Sequence, residues 1–378
     1  MRILVAPDKF KGSLNARQVA DCIAAGLGEV LPDAMFETIP VADGGEGTAE
    51  VISQGGEGEW VTCEAHDALG RAITAGYAWR PDRKLVVMEM SEAAGLARIA
   101  PSERDPFRAN THGVGEMLLD ATQRGAREII VGLGGSATND GGFGTARALG
   151  FRFFADHQEL TKGPAELVNL TRIVRDRGSP RRAPLHLPRI IGAADVRNPL
   201  LGGRGATRTF GRQKGAAQDQ LEVLEEALAR LADVVARDLG CDFRETAGAG
   251  AAGGLGFGLM SFGGATIRPG FDLVAEMLDL RMSIQRADVV ITGEGGLDDQ
   301  TLEGKAPAGV AQLSRKLGKR IYAIVGRATE NPAVLEVFDG VYALVTPSIT
   351  GEEAMSRTNE LLRERARELG RVLSSSCS

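Results

Sequence analysis

Glycine dominates the stretch Val131–Gly144, VGLGGSATNDGGFG, which holds six glycines among short polar side chains. The stretch follows a mostly apolar run, Glu128–Val131, that predicts the end of a strand, and it precedes Thr145–Gly150, which predicts a helix. Glycines let the backbone turn sharply and bring its N–H groups close to an anion. A strand, a glycine loop and a helix in this order aim the helix N-terminus at a phosphate. For this loop alone, a tight turn with an Asp or Asn helix cap is an equally good interpretation.

Composition and charge limit the class of protein and its partners. The chain has 378 residues, which predicts two domains of roughly 150 residues each. A formal net charge of −6 without a basic stripe argues against a nucleic-acid partner. Four cysteines without a CxxC spacing predict a reducing, cytoplasmic location. No apolar run approaches the roughly 20 residues of a membrane span, and the start does not resemble a signal peptide, so we expect no membrane association.

The two ends of the chain share a pattern of short buried strands, each followed by a loop. Strands predicted for one doubly wound parallel sheet lie near residues 3–6, 36–41, 287–292, 320–325 and 341–345. Between them, residues 57–90 form short alternating runs that predict an antiparallel meander. We therefore predict an α/β fold with two domains. A flavodoxin- or Rossmann-like parallel sheet is formed by residues 1–45 and 276–378, and residues 46–275 are a large inserted mixed α/β domain.

Charged residues follow several of these strands. Phosphoryl transfer needs cations and N–H groups on the phosphates, carboxylates that hold Mg²⁺, and a carboxylate near the attacking hydroxyl. The candidate cations are Lys11, Arg204, Lys214 and Lys305, and the candidate carboxylates are Asp43, Asp140, Asp195, Glu294 and Asp298. Taken singly, each is better explained as a solvated charge or a helix cap. Their shared position on loops that follow strands favours the functional interpretation.

Other nucleotide-binding and catalytic patterns do not fit. Gly248, Gly250 and Gly253 spell GxGxxG, but no strand precedes them, so close helix packing is favoured over a dinucleotide site. The sequence contains no GxxxxGK[ST] motif and no protein-kinase set. The four histidines fit neither a zinc motif nor a catalytic triad.

Seven ordered motifs resemble the bacterial glycerate kinase family that contains the glyoxylate- and galactarate-pathway enzymes. The motifs are APDKFKGSL (6–14), PVADGGEGT (40–48), GLGGSATNDGG (132–142), ADVRNPLLGGRGA (194–206), FGRQKGA (210–216), GAGAAGGLGFGL (248–259) and ITGEGGLDDQTLEGKAPAGVA (291–311). The resemblance is collinear and covers nearly the whole chain. It implies a two-domain fold with a flavodoxin-like part, and ATP-dependent phosphorylation of D-glycerate with Mg²⁺. The 2-hydroxyl is the usual acceptor in this family, and the product is then 2-phospho-D-glycerate.

Within these motifs we assign roles to individual residues as hypotheses. The catalytic candidates are Asp195, which orients the acceptor hydroxyl or takes its proton, and Lys11. The candidates for binding the substrate are Ser13, Arg197, Asn198 and Lys214. The candidates for binding the nucleotide are Gly134, Gly135, Ser136, Thr138, Asn139, Asp140 and Lys305. Asp43 and Glu294 are the candidate Mg²⁺ ligands, directly or through water.

Three positions depart from the family pattern, and two other functions stay open. Lys9 stands where Ser is frequent, Arg212 where Pro is common, and Gly296 where an Arg is common. Loss of that Arg removes a phosphate contact, which Lys9 or Arg212 would have to replace. The alternatives are a kinase that acts on the 3-hydroxyl or on a related small hydroxy acid, and a non-catalytic binder or sensor of sugar acids. We expect small-molecule partners only, in a monomer or homodimer.

Overall fold

The structure is a computed structural model that describes residues 1–54, 58–175, 186–298 and 305–375. The chain divides into two compact units. Unit 1 consists of Met1–Asp43, Glu50–Gly55 and Pro269–Ser378, and unit 2 consists of Gly44–Ala49 and Gly56–Arg268. The two ends of the chain therefore fold together in unit 1.

The strands of the described residues are short and alternate with helices along most of the chain. They are β1 (Arg2–Val5), β2 (Met35–Thr38), β3 (Glu59–His66), β4 (Ala72–Arg80), β5 (Leu85–Glu89), β6 (Glu128–Gly132), β7 (Phe151–Ala155), β8 (Gln158–Glu159), β9 (Arg172–Arg175), β10 (Arg189–Ala193), β11 (Thr266–Arg268), β12 (Val289–Thr292), β13 (Arg320–Val325) and β14 (Gly340–Ala343).

The α-helices of the described residues range from a single turn to six turns. They are α1 (Ala16–Gly28), α2 (Thr48–Gln54), α3 (Ser91–Ala94), α4 (His112–Gln123), α5 (Phe143–Ala148), α6 (Ala206–Phe210), α7 (Gln218–Leu239), α8 (Ala251–Gly263), α9 (Gly270–Met277), α10 (Leu280–Arg286), α11 (Ala306–Lys316), α12 (Pro332–Leu335), α13 (Gly351–Ser356) and α14 (Thr358–Ser375). Short 3-10 helices lie at Leu96–Arg98, Pro101–Glu103, Pro164–Asn169 and Arg212–Lys214.

Unit 1 contains a five-stranded sheet in the order β14-β13-β12-β1-β2, and all its neighbouring strands are parallel. Counted within the unit, this is the 2-1-3-4-5 order of flavodoxin-like folds, which reverses direction between β1 and β12. In such sheets ligands bind at the carboxyl ends of the strands where the order reverses. The five strands predicted from short apolar runs, and their parallel arrangement, are confirmed.

Successive side chains of a strand point to opposite faces of the sheet, and in the central strands β1, β12 and β13 both faces are buried. Ile3 and Val5 belong to an apolar cluster with the buried faces of α1 and α14, whereas Leu4 belongs to a second cluster with α10 and α11. Helix α1 begins with a capping box, in which the Asn15 side chain accepts from the Gln18 backbone N–H and the Gln18 side chain accepts from the Asn15 N–H.

Unit 2 contains a six-stranded sheet in the order β11-β10-β6-β5-β4-β3. Strands β3, β4 and β5 pair antiparallel, and β5, β6, β10 and β11 pair parallel. The meander predicted for residues 57–90 is confirmed over its described residues, and residue 57 lies outside them. A second sheet, β8-β7-β9, packs with α7 in an apolar cluster that contains Phe153, Leu228 and Leu231.

One expectation of local structure changes. The run Glu352–Leu373, acidic and then basic, predicts a single terminal helix, which is wrong, because the helix is interrupted at Arg357 between α13 and α14. The Thr358 hydroxyl donates to the carbonyl oxygens of Ala354 (2.8 Å) and Met355 (2.9 Å), and such side-chain bonds compete with regular helix hydrogen bonds. Within the glycine-rich residues 246–264, Ala251–Gly263 form α8, in which Ala252, Gly253 and Gly254 have left-handed backbone angles that interrupt the regular helix.

The described residues contain no helix with the length and apolar character needed to cross a membrane. Cys22, Cys63 and Cys241 are free thiols, and Cys377 lies outside the described residues.

Candidate functional site

The carboxyl edge of the unit 1 sheet is built from the loops after β1 and β12. The two loops continue the pairing of their strands, because the Ala6 N–H donates to the Ile291 oxygen (2.7 Å) and the Asp8 N–H to the Gly293 oxygen (2.8 Å). The backbone thus brings Asp8 and the following residues beside Gly293 and Glu294. This is the position where the strand order reverses and where we expect a ligand.

Three carboxylates of unit 1, Asp8, Asp43 and Glu294, form what we call the carboxylate cluster. The pKa of Asp8 lies well above its ordinary value because of burial first and then the negative charges of Asp43 and Glu294. The backbone N–H of Lys9 donates to the Asp8 carboxylate (2.6 Å) and opposes that rise in pKa. Glu294 is buried, with 8% of its surface exposed. Like charges held together at low exposure destabilise a fold, so this edge has the electrostatics of a cation-binding site.

Lys305 is the cation beside this cluster. Its Nζ lies 2.9 Å from Asp298 Oδ1 and 3.7 Å from Glu294 Oε2. Burial acts to lower the pKa of Lys305, but the hydrogen bond with Asp298 and the charges of Glu294, Asp298 and Asp43 raise it above its ordinary value. Lys305 is therefore protonated at neutral pH and bound to carboxylates.

The carboxylate cluster offers the type of donor atom that Mg²⁺ prefers, but the described residues do not form a complete set of ligands. Within the described ranges no group of three or more His, Cys, Asp or Glu side chains has the geometry of a metal cage. Mg²⁺ in kinases is bound by one or two carboxylates, and phosphate oxygens and waters complete the octahedron. Carboxylate oxygens from Asp43 and Glu294 are of the type that such a site requires.

The loop after β1 also carries Lys11 and Ser13. Lys11 is exposed, and Gly12 beside it has φ +80°, which favours glycine. The Ser13 hydroxyl donates to Thr358 Oγ1 at 2.7 Å and so anchors this loop to α14. Of the two candidates, Lys11 is the side chain that faces solvent.

In unit 2, the loop between β6 and α5, residues 132–142, is called the glycine loop. Its first part is accessible, with Gly135 exposed and Gly134 half-buried, whereas Ser136 is buried. Its second part is inside the protein, since Thr138 and Asn139 have no exposed surface. The loop predicted to hold phosphates therefore has an outer half that a ligand can reach and an inner half that it cannot.

Asp140 organises the inner half of the glycine loop. Its carboxylate accepts from the N–H groups of Gly142 (3.1 Å) and Gly144 (2.9 Å) and from the N–H and hydroxyl of Thr111 (2.9 Å each). Burial raises the pKa of Asp140, and these four hydrogen bonds oppose the rise. The carboxylate thus binds the donors of its own loop and of the start of α4.

Lys214 approaches the same loop from within the protein. Only 1% of its surface is exposed, and its Nζ donates to the Thr138 carbonyl oxygen at 2.6 Å. Burial lowers the pKa of Lys214 to about 7, against the opposing charge of Asp140. A side chain expected to bind substrate is thus enclosed behind the glycine loop.

The glycine-rich start of α8 packs against the glycine loop. A Cβ on Gly253 would lie 1.9 Å from the Thr138 carbonyl oxygen, and a Cβ on Gly258 would lie 2.6 Å from the Gly141 oxygen. The Gly141 N–H donates to the Gly253 oxygen at 3.0 Å. The GxGxxG glycines therefore allow close packing of the backbone, in agreement with the sequence, which predicts no strand before them.

Asp195, Arg197 and Asn198 follow β10, which pairs with β6 in parallel. Their loop therefore leaves the same edge of the sheet as the glycine loop, and the Leu133 N–H donates to the Ala193 oxygen at 3.0 Å. Asp195 is half-buried and Arg197 is exposed. The Asn198 side-chain amide donates to the Arg204 oxygen (2.6 Å), which fixes the turn of this loop.

Sequence reasoning did not single out Glu89. This buried carboxylate ends β5 and accepts from the N–H groups of Gly47 and Ala49, both at 2.9 Å. The Glu89 carboxylate thereby anchors the C-terminal end of the PVADGGEGT motif (40–48). An acidic residue at the end of a strand whose other residues are all buried is the signal that could have indicated it.

Comparison with known proteins now identifies the family. The family model described as Glycerate kinase family matches residues 3–374. The chain belongs to the glycerate kinase family. A glycerate kinase of Halalkalibacterium halodurans is 40% identical over 375 residues, which are 98% of each chain. A glycerate 2-kinase of Escherichia coli K12 is 39% identical over 380 residues, 99% of this chain and 98% of that one.

A solved structure extends the match to the fold. The crystal structure of a protein described as glycerate kinase 2 from Salmonella typhimurium LT2 superimposes with a TM-score of 0.85 and 38% identity. The match covers 100% of this chain and 99% of that one. The predicted family and fold class are confirmed, and the chain is a kinase, not a non-catalytic binder.

Proposed function

We propose that this glycerate kinase family member transfers the γ-phosphoryl group of ATP to the 2-hydroxyl of D-glycerate, with Mg²⁺, and releases 2-phospho-D-glycerate and ADP. The similarity to a glycerate 2-kinase over nearly the whole of both chains carries this proposal. The carboxylate cluster at the reversal point of a flavodoxin-like sheet supports it, because phosphoryl transfer requires a bound divalent cation.

Asp43 and Glu294 are the proposed Mg²⁺ ligands. When bound, the ion neutralises charge on the phosphate oxygens as the transferred group leaves. Lys305 would hold the nucleotide phosphates on the same side, and its bonds to Asp298 and Glu294 fix its ammonium there. Burial first, and then the charges of Asp43 and Glu294, raise the pKa of Asp8, and a bound cation would relieve that repulsion between charges.

The glycine loop is proposed to bind nucleotide phosphates through its outer half. Gly134, Gly135 and Ser136 would offer backbone N–H groups and one hydroxyl. Thr138, Asn139 and Asp140, which are buried, would contribute by holding the loop in shape.

The loop after β10 is proposed to bind D-glycerate. Arg197 and Asn198 would contact its carboxylate, and Asp195 would accept the proton of its 2-hydroxyl. The hydroxyl oxygen then bonds to the γ-phosphorus, the bond from that phosphorus to the β,γ-bridging oxygen breaks, and ADP leaves. Lys11, the exposed cation after β1, is assigned to the transferring group, with Ser13 beside it. A cytoplasmic location and a monomeric or homodimeric state are further proposals.

A coupled ADP-release assay tests the activity. With ATP and Mg²⁺, we expect turnover with D-glycerate and no more than a trace with L-glycerate. Phosphorus NMR of the product decides the position, and a 3-phosphoglycerate signal would replace the 2-hydroxyl with the 3-hydroxyl. Turnover with another small hydroxy acid, but not with D-glycerate, would change the substrate.

The change Asp195→Asn tests the proton acceptor. We expect kcat to fall roughly a hundredfold or more, because the amide cannot take the hydroxyl proton. The matched control is Asp156→Asn, an exposed aspartate in the turn between β7 and β8 of the same unit. Near-normal turnover of the folded Asp195→Asn protein would remove Asp195 from this role.

A further inference from the structure

We propose that Lys214 is a positioning residue, which holds the glycine loop in its binding conformation from inside the protein and does not touch the substrate. The inference rests on the proposed function, because it treats the outer half of that loop as part of the kinase site. It concerns a side chain that its motif alone would place on the substrate.

The first observation is the enclosure of the ammonium group. Lys214 ends the 3-10 helix Arg212–Lys214, and Gly215, with φ +98°, turns the chain away after it. Lys214 is among the largest fully buried side chains of the described residues. A buried ammonium is stable only with strong partners, and its hydrogen bond to the Thr138 carbonyl oxygen, at 2.6 Å, is such a contact.

The second observation is that the Thr138 carbonyl is fixed on two sides. The Lys214 ammonium binds its oxygen, and Gly253 lies so close to it that any side chain there would collide with the oxygen. The peptide that joins Thr138 to Asn139 therefore cannot shift without losing the bond or meeting α8. Because the Thr138 carbonyl is held on both sides, the direction of the adjacent outer half of the glycine loop is fixed.

The third observation concerns charge. Within the described residues, Asp140 is the charged group that acts on Lys214, and it favours the protonated ammonium. Asp140 in turn binds the N–H groups of Gly142 and Gly144 and both donors of Thr111. Ammonium and carboxylate thus hold consecutive parts of the same loop, one through a carbonyl and the other through N–H groups.

The fourth observation distinguishes a role in positioning the glycine loop from a role in stabilising the fold. The Thr138 hydroxyl and the Asn139 side-chain oxygen are buried without a hydrogen-bond partner among the described residues, although the Asn139 amide donates to Thr207 Oγ1 at 3.0 Å. Unpaired buried polar atoms cost stability, and in native proteins they call for a functional explanation. A loop conformation that retains two of them is selected for something other than stability.

The experiment compares Lys214→Met with wild type by calorimetric titration of two probes, ADP with Mg²⁺ and D-glycerate alone. Methionine keeps an unbranched apolar side chain of similar length and removes the charge and the donor. We expect the Kd for ADP to rise by about tenfold or more, and the Kd for D-glycerate to stay within about twofold of wild type. Lys162→Met, which removes an exposed lysine of the same unit, should change neither Kd.

A second variant keeps the test decisive if Lys214→Met fails to fold. Lys214→Gln retains an N–H donor for the Thr138 carbonyl without a charge, so its Kd for ADP should lie between those of wild type and the methionine variant. Circular dichroism and thermal melting identify which variants are folded. A folded variant that loses affinity for D-glycerate but keeps that for ADP would overturn the proposal, because Lys214 would then contact the acid.

The outcomes for Lys214 and for the proposed function are distinguishable, since binding is measured without turnover. If wild type binds ADP but does not phosphorylate D-glycerate, the proposed function fails and the Lys214 comparison still decides the positioning role. If wild type phosphorylates D-glycerate and the folded variants bind ADP as wild type does, the positioning role is overturned and the function stands.

Discussion

The carboxyl edges of the two parallel sheets use similar residues in opposite ways. In unit 1 the pKa of Asp8 is raised, first by burial and then by the charges of Asp43 and Glu294. In unit 2 the Asp140 carboxylate is enclosed by four hydrogen bonds from its own surroundings. Both edges carry an acid on a glycine-rich loop after a parallel strand.

The difference shows that an acidic residue on such a loop has two separate uses. Where it is buried near other carboxylates, it has the electrostatics that favour a cation. Where the N–H groups of the loop converge on it, it holds the loop, and the backbone outside is the proposed binding surface.

The largest effect is expected where α8 supports the glycine loop. Gly253→Ala should lower the free energy of unfolding by about 4 kcal/mol, because φ is +68° there and the new Cβ meets the Thr138 carbonyl oxygen. Gly264→Ala is the matched control, since its φ is +65° but nothing lies within 4 Å of a Cβ. It should cost only about 1 kcal/mol of strain. Equal losses in urea unfolding would mean that the close packing is unimportant.

The two acids of the comparison should respond oppositely to the same change. Asp140→Asn should destabilise by about 2 kcal/mol, because the amide replaces one acceptor oxygen and leaves a buried N–H unpaired. Asp8→Asn should stabilise the protein without ligand by about 0.5–1 kcal/mol, since it removes repulsion by Asp43 and Glu294. Chemical unfolding at pH 7 measures both. If both changes destabilise, the two edges do not differ as described.

The pH dependence of stability should report the buried ammonium. The pKa of Lys214 is about 7 in the fold and about 10.5 when unfolded, so between these values only the unfolded chain holds the proton. Stability therefore rises with pH in this window, by up to about 1.4 kcal/mol per unit from this group. Lys214→Met should remove that rise and Lys162→Met should not. Parallel slopes for wild type and Lys214→Met would show that Lys214 does not titrate there.

The smallest effect is expected at Gly296, on the unit 1 edge. No atom lies within 4 Å of a Cβ there, and φ is not in the left-handed region, so Gly296→Arg should change stability by no more than about 0.5 kcal/mol. A new cation beside the carboxylate cluster should lower KM for ATP by about twofold. A raised KM would indicate that the arginine blocks the site. Thermal melting and initial rates measure the two quantities.

Much of the fold follows from local pattern. Strands β1, β2, β12, β13 and β14 are short apolar runs bounded by glycine or polar loops, and these signals depend on neighbouring residues only. Helix α8 could not be predicted, because it is rich in glycine and three of its residues have φ above +50°. Its glycines pack closely against the glycine loop, which lies more than a hundred residues earlier in the chain, and local pattern does not report such a contact.

For the candidate site, too, some features follow from local sequence and others depend on tertiary contacts. By itself the sequence determined the family, the parallel strands and the loops that carry the acids and cations, because motif and periodicity are local properties. Only the tertiary structure decided which of those charges are exposed and which are enclosed. In sequence, Lys305 and Lys214 are both lysines on glycine-containing loops. In the structure, Lys305 lies beside carboxylates at a sheet edge, whereas Lys214 is buried and donates to a carbonyl oxygen 76 residues away in the chain. Burial is set by contacts between distant segments, and burial determines whether a charge is accessible to a ligand or supports the structure around it.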